Sequence, residues 1–296
     1  MNSRTPLSGI GFGLLAYGIW GFFPLFFHQL AAVAPLDILA NRAVWACVFV
    51  GILLTVRGQW SKVLAIAKNP RQFAMLALAA LLVGSNWLVF LWAVAHQQVV
   101  ASSLGYFLTP LVNVLLGLVV LKERLNRLEW LSVGLAILAI GNEMLTLGSL
   151  PWVSLFLAGS FGCYGLVRKQ VPVDAISGLW LETLAMLPLC LLYALWEARQ
   201  GHMVFGPYPT STAALLVSAG ILTALPLMAF AAATQRLNLA TVGMLMYINP
   251  TLQFLTAVWI FGEPMQTSRL FSFGLIWLSL FVFSASMWRK YRFPAG

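Results

Sequence analysis

The chain has 296 residues, 61% of them hydrophobic and only 8% charged, with a mean hydropathy of +0.89. A soluble domain carries about 25% charged residues, so a water-facing surface cannot be assembled here and the composition selects an all-α polytopic membrane protein. The formal net charge of +9 would suggest nucleic acid in a soluble protein. Here the basic residues sit in short loops, where they set membrane orientation, and no nucleic-acid partner is expected.

Crossing the hydrocarbon core as a helix takes about 20 apolar residues. In chain order the apolar runs predict spans at 8–31, 36–56, 73–95, 99–121 and 128–147, then at 152–168, 175–196, 211–234, 239–261 and 270–288. Ala32-Val33-Ala34 imitates a signal-peptide cleavage site. The run from Leu7 to Leu30 nevertheless exceeds the roughly 7–15-residue core of such a peptide, so the first helix is expected to be retained. The longest polar connections are 57–72 and 197–210. Ten spans use most of the chain and leave no soluble domain. Cys47, Cys163 and Cys190 all fall inside apolar runs, which offers neither a disulfide framework nor a metal pair. No metal or cofactor is expected.

The fourth span opens an internal repeat. Ser102 to Glu123, SSLGYFLTPLVNVLLGLVVLKE, is an apolar helix with a proline near its middle and charges at its end. It returns as Thr241 to Glu263, TVGMLMYINPTLQFLTAVWIFGE. Without gaps, Pro110 pairs with Pro250, Glu123 with Glu263 and Gly134 with Gly274, at a constant offset of 140. One long period predicts two copies of a five-helix unit, 1–147 and 148–296. With a cytoplasmic N-terminus, fourteen of the seventeen Lys and Arg residues, Arg168 and Lys169 among them, lie in inner loops and tails. Arg199 and Arg269 lie outside, and Arg42 falls within a span. That bias places both termini in the cytoplasm. Five spans per copy then force the second copy to start outside, so the repeats are inverted, as in transporters with a site between two halves.

Several stretches carry a resemblance: Leu39–Trp45 (LANRAVW), Gly84–Val94 (GSNWLVFLWAV), Ser103–Asn113 (SLGYFLTPLVN), Tyr164–Lys169 (YGLVRK) and Glu182-Thr183. The chain resembles the EamA family of the drug/metabolite transporter superfamily, within it the RarD group of chloramphenicol-related permeases, over essentially its whole length. The resemblance implies a secondary carrier of the bacterial inner membrane with a central cavity between the repeats. One departure is Lys122-Glu123-Arg124, where relatives often have Gly before the Glu; the second copy keeps Gly262-Glu263.

Candidate site residues follow from chemistry that is costly in lipid. An interior proline removes a backbone hydrogen bond and bends a helix, so Pro110 and Pro250 are expected as hinges or as packing kinks. Tyr106, Pro110 and Asn113 share one helix face, answered in the other copy by Tyr247, Asn249, Pro250 and Gln253. Polar groups there face a cavity or another helix. Trp20, Asn86, Trp87, Trp92 and Tyr164 would line a cavity for a mainly apolar or aromatic solute, while Trp60, Trp130, Trp152 and Trp288 sit where interfacial belts form. Of the charges inside spans, Arg42 and Glu182 are the most informative, since a charge near the centre of a span costs roughly 2.5–3.5 kcal/mol on insertion scales; Glu143, in the outer part of its helix, has weaker claims. Arg42 lies about 10 Å below the outer end of its helix, and Glu182 about as far above the inner end of its own. Their depths argue against a direct ion pair. Arg42 either snorkels outward toward Asp37 or orients an anionic or carbonyl part of the solute. Glu182 is either a carboxyl bonded to a neighbouring helix or the proton-coupling group.

The expected function is therefore secondary-active transport of a small amphipathic metabolite or drug, with the lipid bilayer and the proton as its other partners. A passive channel or receptor-like protein is the alternative. An intramembrane enzyme is disfavoured, since HExxH and G-x-S-x-G are both missing from the sequence.

Overall fold

The computed structural model describes residues 4–30, 32–95, 99–147, 152–206, 208–260 and 267–292. Glu263, the repeat counterpart of Glu123, lies outside them. Every regular element among these residues is a helix: α1 (Arg4–Gly21), α2 (Phe23–His28), α3 (Pro35–Val56), α4 (Trp60–Ala67), α5 (Pro70–Ala95), α6 (Val99–Val119), α7 (Arg127–Leu147), α8 (Trp152–Gln170), α9 (Ala175–Arg199), α10 (Thr210–Arg236), α11 (Leu239–Met246), α12 (Ile248–Trp259) and α13 (Thr267–Arg292). Leu7–His28, Pro35–Val56, Pro70–Phe90, Ala175–Arg199 and Thr210–Arg236 are long and apolar enough to cross a membrane, and Gly105–Val119 and Leu270–Ser286 are shorter apolar helices. Leucines and isoleucines such as Ile52, Leu81, Leu138 and Leu189 face outward on these helices. That is the surface of a multi-pass protein whose solvent is lipid.

Helix ends follow local chemistry. Asn126 caps α7, its Oδ1 accepting from the Leu128 and Glu129 N–H groups at 2.9 and 3.0 Å. The Glu129 carboxylate accepts in return from the Asn126 N–H at 2.8 Å, a reciprocal capping box. Asp174 caps α9 through the Ser177 N–H at 3.0 Å. Gly58 (φ +60°) and Gly201 (φ +82°) follow the last turns of α3 and α9, where a left-handed residue closes the helix at least cost.

Two expected spans are interrupted rather than continuous. The first breaks between α1 and α2 at Phe22, because Pro24 lacks an N–H and its ring excludes the Trp20 carbonyl four residues back. That carbonyl is not stranded: the Gln253 side-chain amide on α12 donates to it at 3.3 Å. The ninth breaks at Tyr247, between α11 and α12, three residues before Pro250. By contrast α6 runs helical through Pro110. The polar connection 57–72 also holds an unexpected helix, α4, whose Val63 and Ile66 are buried one turn apart. Eight residues are too few to register as a span. Trp60 of this helix packs on its neighbours: its ring meets Trp180 edge-on at 4.9 Å and its indole N–H donates to Thr55 at 3.0 Å.

The most extensive helix pairings are related by an exchange of elements. Helix α1 packs on α10 and α12, α3 on α9 and α10, α5 on α8 and α9, α6 on α8 and α11, and α7 on α13. Exchanging α1 with α8, α3 with α9, α5 with α10, α6 with α11–α12 and α7 with α13 maps this neighbour set onto itself. The main core lies among α1, α3, α5, α8, α9 and α10. A second core joins α6, α7, α11 and α13.

Candidate functional site

Arg42 on α3 points its side chain toward α2, α5 and α10. Its Nε donates to the Thr223 hydroxyl of α10 at 2.8 Å. The guanidinium carbon lies 4.6 Å from the ring centre of Trp87, 5.1 Å from Phe27 and 5.8 Å from Phe23. An aromatic cage of this kind holds a cation by its ring faces without neutralising it, and the rest of the guanidinium fork is left available. Tyr106, packed on Phe90 at 5.9 Å, is within electrostatic reach of the same charge.

Snorkelling toward Asp37 does not occur among the described contacts. The Asp37 carboxylate instead accepts from the Tyr193 and Tyr208 hydroxyls at 2.9 and 3.1 Å. Asn41 ties the same corner together, donating to the Asp37 and Val204 carbonyls at 3.0 Å each. These bonds clasp Val204, Tyr208 and the Tyr193 side chain of α9 onto the start of α3. Burial, then the Asp37 charge beside it and the bond to that carboxylate, push the loop phenol Tyr208 up to about 12.

Glu182 on α9 and Arg42 have separate partners. Glu182 faces α8, where it accepts from Arg168 Nη1 at 3.0 Å and from the Tyr164 hydroxyl at 3.2 Å. Tyr164 and Arg168 are four residues apart and so share one helix face. Sequence reasoning counted Arg168 among cytoplasmic loop charges. The structure corrects this, since Arg168 is fully buried and its charge is matched by Glu182 inside the bundle. Only Nη1 is bonded; Nε and Nη2 have no partner. The room for the guanidinium comes from Gly178, where a Cβ would lie 2.3 Å from Nη1.

An aromatic cluster adjoins this pair through Tyr164. Tyr164 stacks on Phe230 at 5.6 Å and 14°. Phe161 closes on both, and Trp20 leans on Phe161 and Phe230 at 5.7 and 5.9 Å. Tyr17 completes the cluster and donates its hydroxyl to the Val242 carbonyl at 3.0 Å, linking α1 to α11.

The remaining candidates divide. Asn86 bonds α5 to α8, its amide donating to the Leu157 carbonyl and the Ser160 hydroxyl at 2.9 Å each. Gln253 and Asn249 bond one another at 2.9 Å. Trp92 lies apart from the cage, against Trp152 at 5.1 Å. Tyr247 is buried in the second core with its hydroxyl unpartnered. Asn113 is also buried, with neither side-chain polar atom bonded. Around it α6, α8 and α11 cross at Gly162, Gly165 and Gly243, where any Cβ would crowd Asn113 or its neighbours. Pro110 lies at the same crossing, its carbonyl 2.8 Å from where a Gly243 Cβ would be. Sequence reasoning missed Thr223, Phe23, Phe27 and Phe230, because nothing local distinguishes them from ordinary apolar-span residues. Arg168 did carry a signal: its four-residue spacing from Tyr164.

At the other end of α6, Glu123 anchors the second half. Its carboxylate accepts from the Leu239 and Ala240 N–H groups at 2.7 and 3.1 Å, capping α11 where the helix dipole favours an anion. Lys169 approaches it at 3.9 Å and also donates to the Thr234 carbonyl at 3.3 Å.

Residues 7–141 match the model of the EamA-like transporter family. A protein of Pseudomonas aeruginosa named as an uncharacterized transporter is 44% identical over 295 residues, covering 99% of this chain and 98% of its own. Protein RarD of Escherichia coli is 41% identical over 285 residues, 96% of each chain. A solved crystal structure superposes with a TM-score of 0.72 at 19% identity, over 97% of this chain and 99% of that one, a likeness of fold. With relatives this similar along nearly its full length, the chain belongs to the EamA-like transporter family, in its RarD-like group, and is a membrane transporter.

Proposed function

We propose that the protein is a secondary-active carrier of a small amphipathic metabolite or drug in the bacterial inner membrane. It works by alternating access and is driven by protons. Ten crossings in two inverted five-helix repeats, 1–147 and 148–296, with both termini cytoplasmic, are the architecture of this proposal. The helix neighbours that map onto themselves when the halves are exchanged support it, because inverted repeats interconvert inward- and outward-open forms by swapping conformations.

The observation that carries the proposal is the Arg42 cage. A cation held between the halves by Thr223 and three aromatic faces, with no acidic partner among the described residues, is arranged to meet an anionic or carbonyl group flanked by apolar surface. Trp87 and Tyr106 supply that surface, with Trp20 and Tyr164 behind them. Glu182 is the proposed coupling group: a proton on its carboxylate would release Arg168, and loss of the proton would restore the pair. Pro110 and Pro250 are the proposed hinges. The work is binding and release, without a chemical step on the solute.

Proteoliposome flux tests the proposal, screened over amino acids, nucleosides and phenicol drugs with and without an imposed pH gradient. A solute accumulated only with the gradient, and lost with an uncoupler, is the expected result. Gradient-independent equilibration of every solute that crosses would instead identify a passive channel.

A further inference from the structure

Arg124, Arg127 and Arg289 line one cleft of about 670 Å³, together with Asn126, Leu128 and Ser286. The cleft lies where the start of α7 meets the end of α13, and the Asn126 amide joins the two by donating to the Ser286 hydroxyl at 2.7 Å. Three exposed guanidinium groups around one opening make a cationic site that favours an anion among them. The two carboxylates nearest in sequence are committed elsewhere: Glu123 to the start of α11, and Glu129, buried, to the Asn126 N–H. None of the three arginines has an ion-pair partner among the described residues.

Beside this charge the surface turns apolar. Trp130, nearly one turn on from Arg127, is 52% exposed, and Trp288, next to Arg289, is 67% exposed. Exposed tryptophans mark the level where a bilayer meets water, so the cleft opens at headgroup depth. Guanidinium groups grip phosphate oxygens bidentately, and basic pockets between membrane helices hold anionic headgroups.

We infer that this cleft is a binding site for the phosphate headgroup of an anionic membrane phospholipid, which clamps the start of α7 to the end of α13. The lipid's acyl chains run along the apolar flank by Trp130 and Trp288. Helices α7 and α13 pack on each other and sit outside the main core. The bound lipid therefore stabilises the pair that closes both halves, away from the Arg42 cage.

The test is native mass spectrometry of the purified full chain with phosphatidylglycerol or phosphatidylcholine of the same acyl chains. Wild type is expected to retain phosphatidylglycerol at least tenfold better. One interfacial arginine contributes about fivefold and three about a hundredfold, so Arg289→Gln should weaken retention about fivefold and the Arg124→Gln/Arg127→Gln/Arg289→Gln variant about a hundredfold. The corresponding triple Lys variant should keep most of the preference. Arg289 is exposed at the end of its helix, so the single variant reports even if the triple one misfolds. Phosphatidylglycerol retention by Arg289→Gln and by the triple Gln variant equal to wild type overturns the inference. So does displacement of the lipid by millimolar inorganic phosphate, which would make this a site for a soluble anion.

Discussion

The Arg168 guanidinium meets the Glu182 carboxylate at 3.0 Å with neither side chain more than 2% exposed. Removing one member of a buried pair strands the other charge, at about 3–5 kcal/mol, whereas replacing both with apolar residues is often neutral. Arg168→Met and Glu182→Leu should each lower the detergent melting temperature sharply, and the double variant should recover most of the loss. Glu182→Gln keeps a hydrogen-bond acceptor but cannot titrate. It is expected to abolish pH-driven accumulation while preserving solute exchange. Thermal melts of the four proteins, with flux for Glu182→Gln, check both points. Unchanged pH-driven accumulation would leave Glu182 a structural residue.

Gly178 gives an independent handle on the same pair, because a Cβ there would lie 2.3 Å from Arg168 Nη1 and 3.0 Å from Nη2. Gly178→Ala should push the guanidinium off Glu182 and cost about 1–3 kcal/mol from overpacking, with a further loss of pH-driven flux. In an Arg168→Met/Glu182→Leu background the same substitution should cost far less. Equal costs in the two backgrounds would mean the glycine serves only helix packing.

For Arg42 the cage predicts a binding defect. A hydrogen bond to a charged group contributes about 1.5–3 kcal/mol, so Arg42→Gln should weaken solute binding roughly 10- to 150-fold. Arg42→Lys should fall between, since an ammonium keeps the charge but loses the planar fork. Thr223→Val, which removes the group that aims Nε, should produce a smaller defect of the same kind. Equilibrium binding to detergent-purified protein measures all three. Wild-type affinity in Arg42→Gln would put the solute elsewhere.

Asn113 separates stability from function. Neither of its polar atoms is bonded, and a buried unsatisfied group costs about 1–3 kcal/mol. Asn113→Leu is therefore expected to melt at or above the wild-type temperature while transport falls. A marked loss of stability would show that the amide holds helices together, contrary to the geometry.

The two prolines are expected to differ. Helix α6 continues through Pro110, whereas α11 and α12 are separated just before Pro250. Pro250→Ala restores an N–H that can reach the Met246 carbonyl and rejoins the two pieces. It should slow transport about tenfold with affinity nearly intact, and Pro110→Ala should slow it less. Flux rates and binding isotherms of the two variants decide the point, and equal rates would reject the difference.

Sequence alone determined the class, the family and the approximate position of each long apolar helix, because lipid requires about 20 apolar residues per crossing whatever the rest of the chain does. It also brought Arg42, Glu182, Tyr164, Trp87 and the paired prolines forward, since a charge, a polar ring or a proline is conspicuous in an apolar run. Partners were another matter. Gln253 serves the Trp20 carbonyl that Pro24 frees, Thr223 aims Arg42, and Arg168 answers Glu182. In two of these pairs the residues stand 181 and 233 positions apart. Spacing within one helix reports which residues share a face, but not which face of another helix lies opposite. Arg168 shows the limit most plainly: two residues before the end of α8, it counts as a loop charge by position, and only the missing side chain of Gly178 on α9 lets it turn inward. The tertiary structure alone decided that.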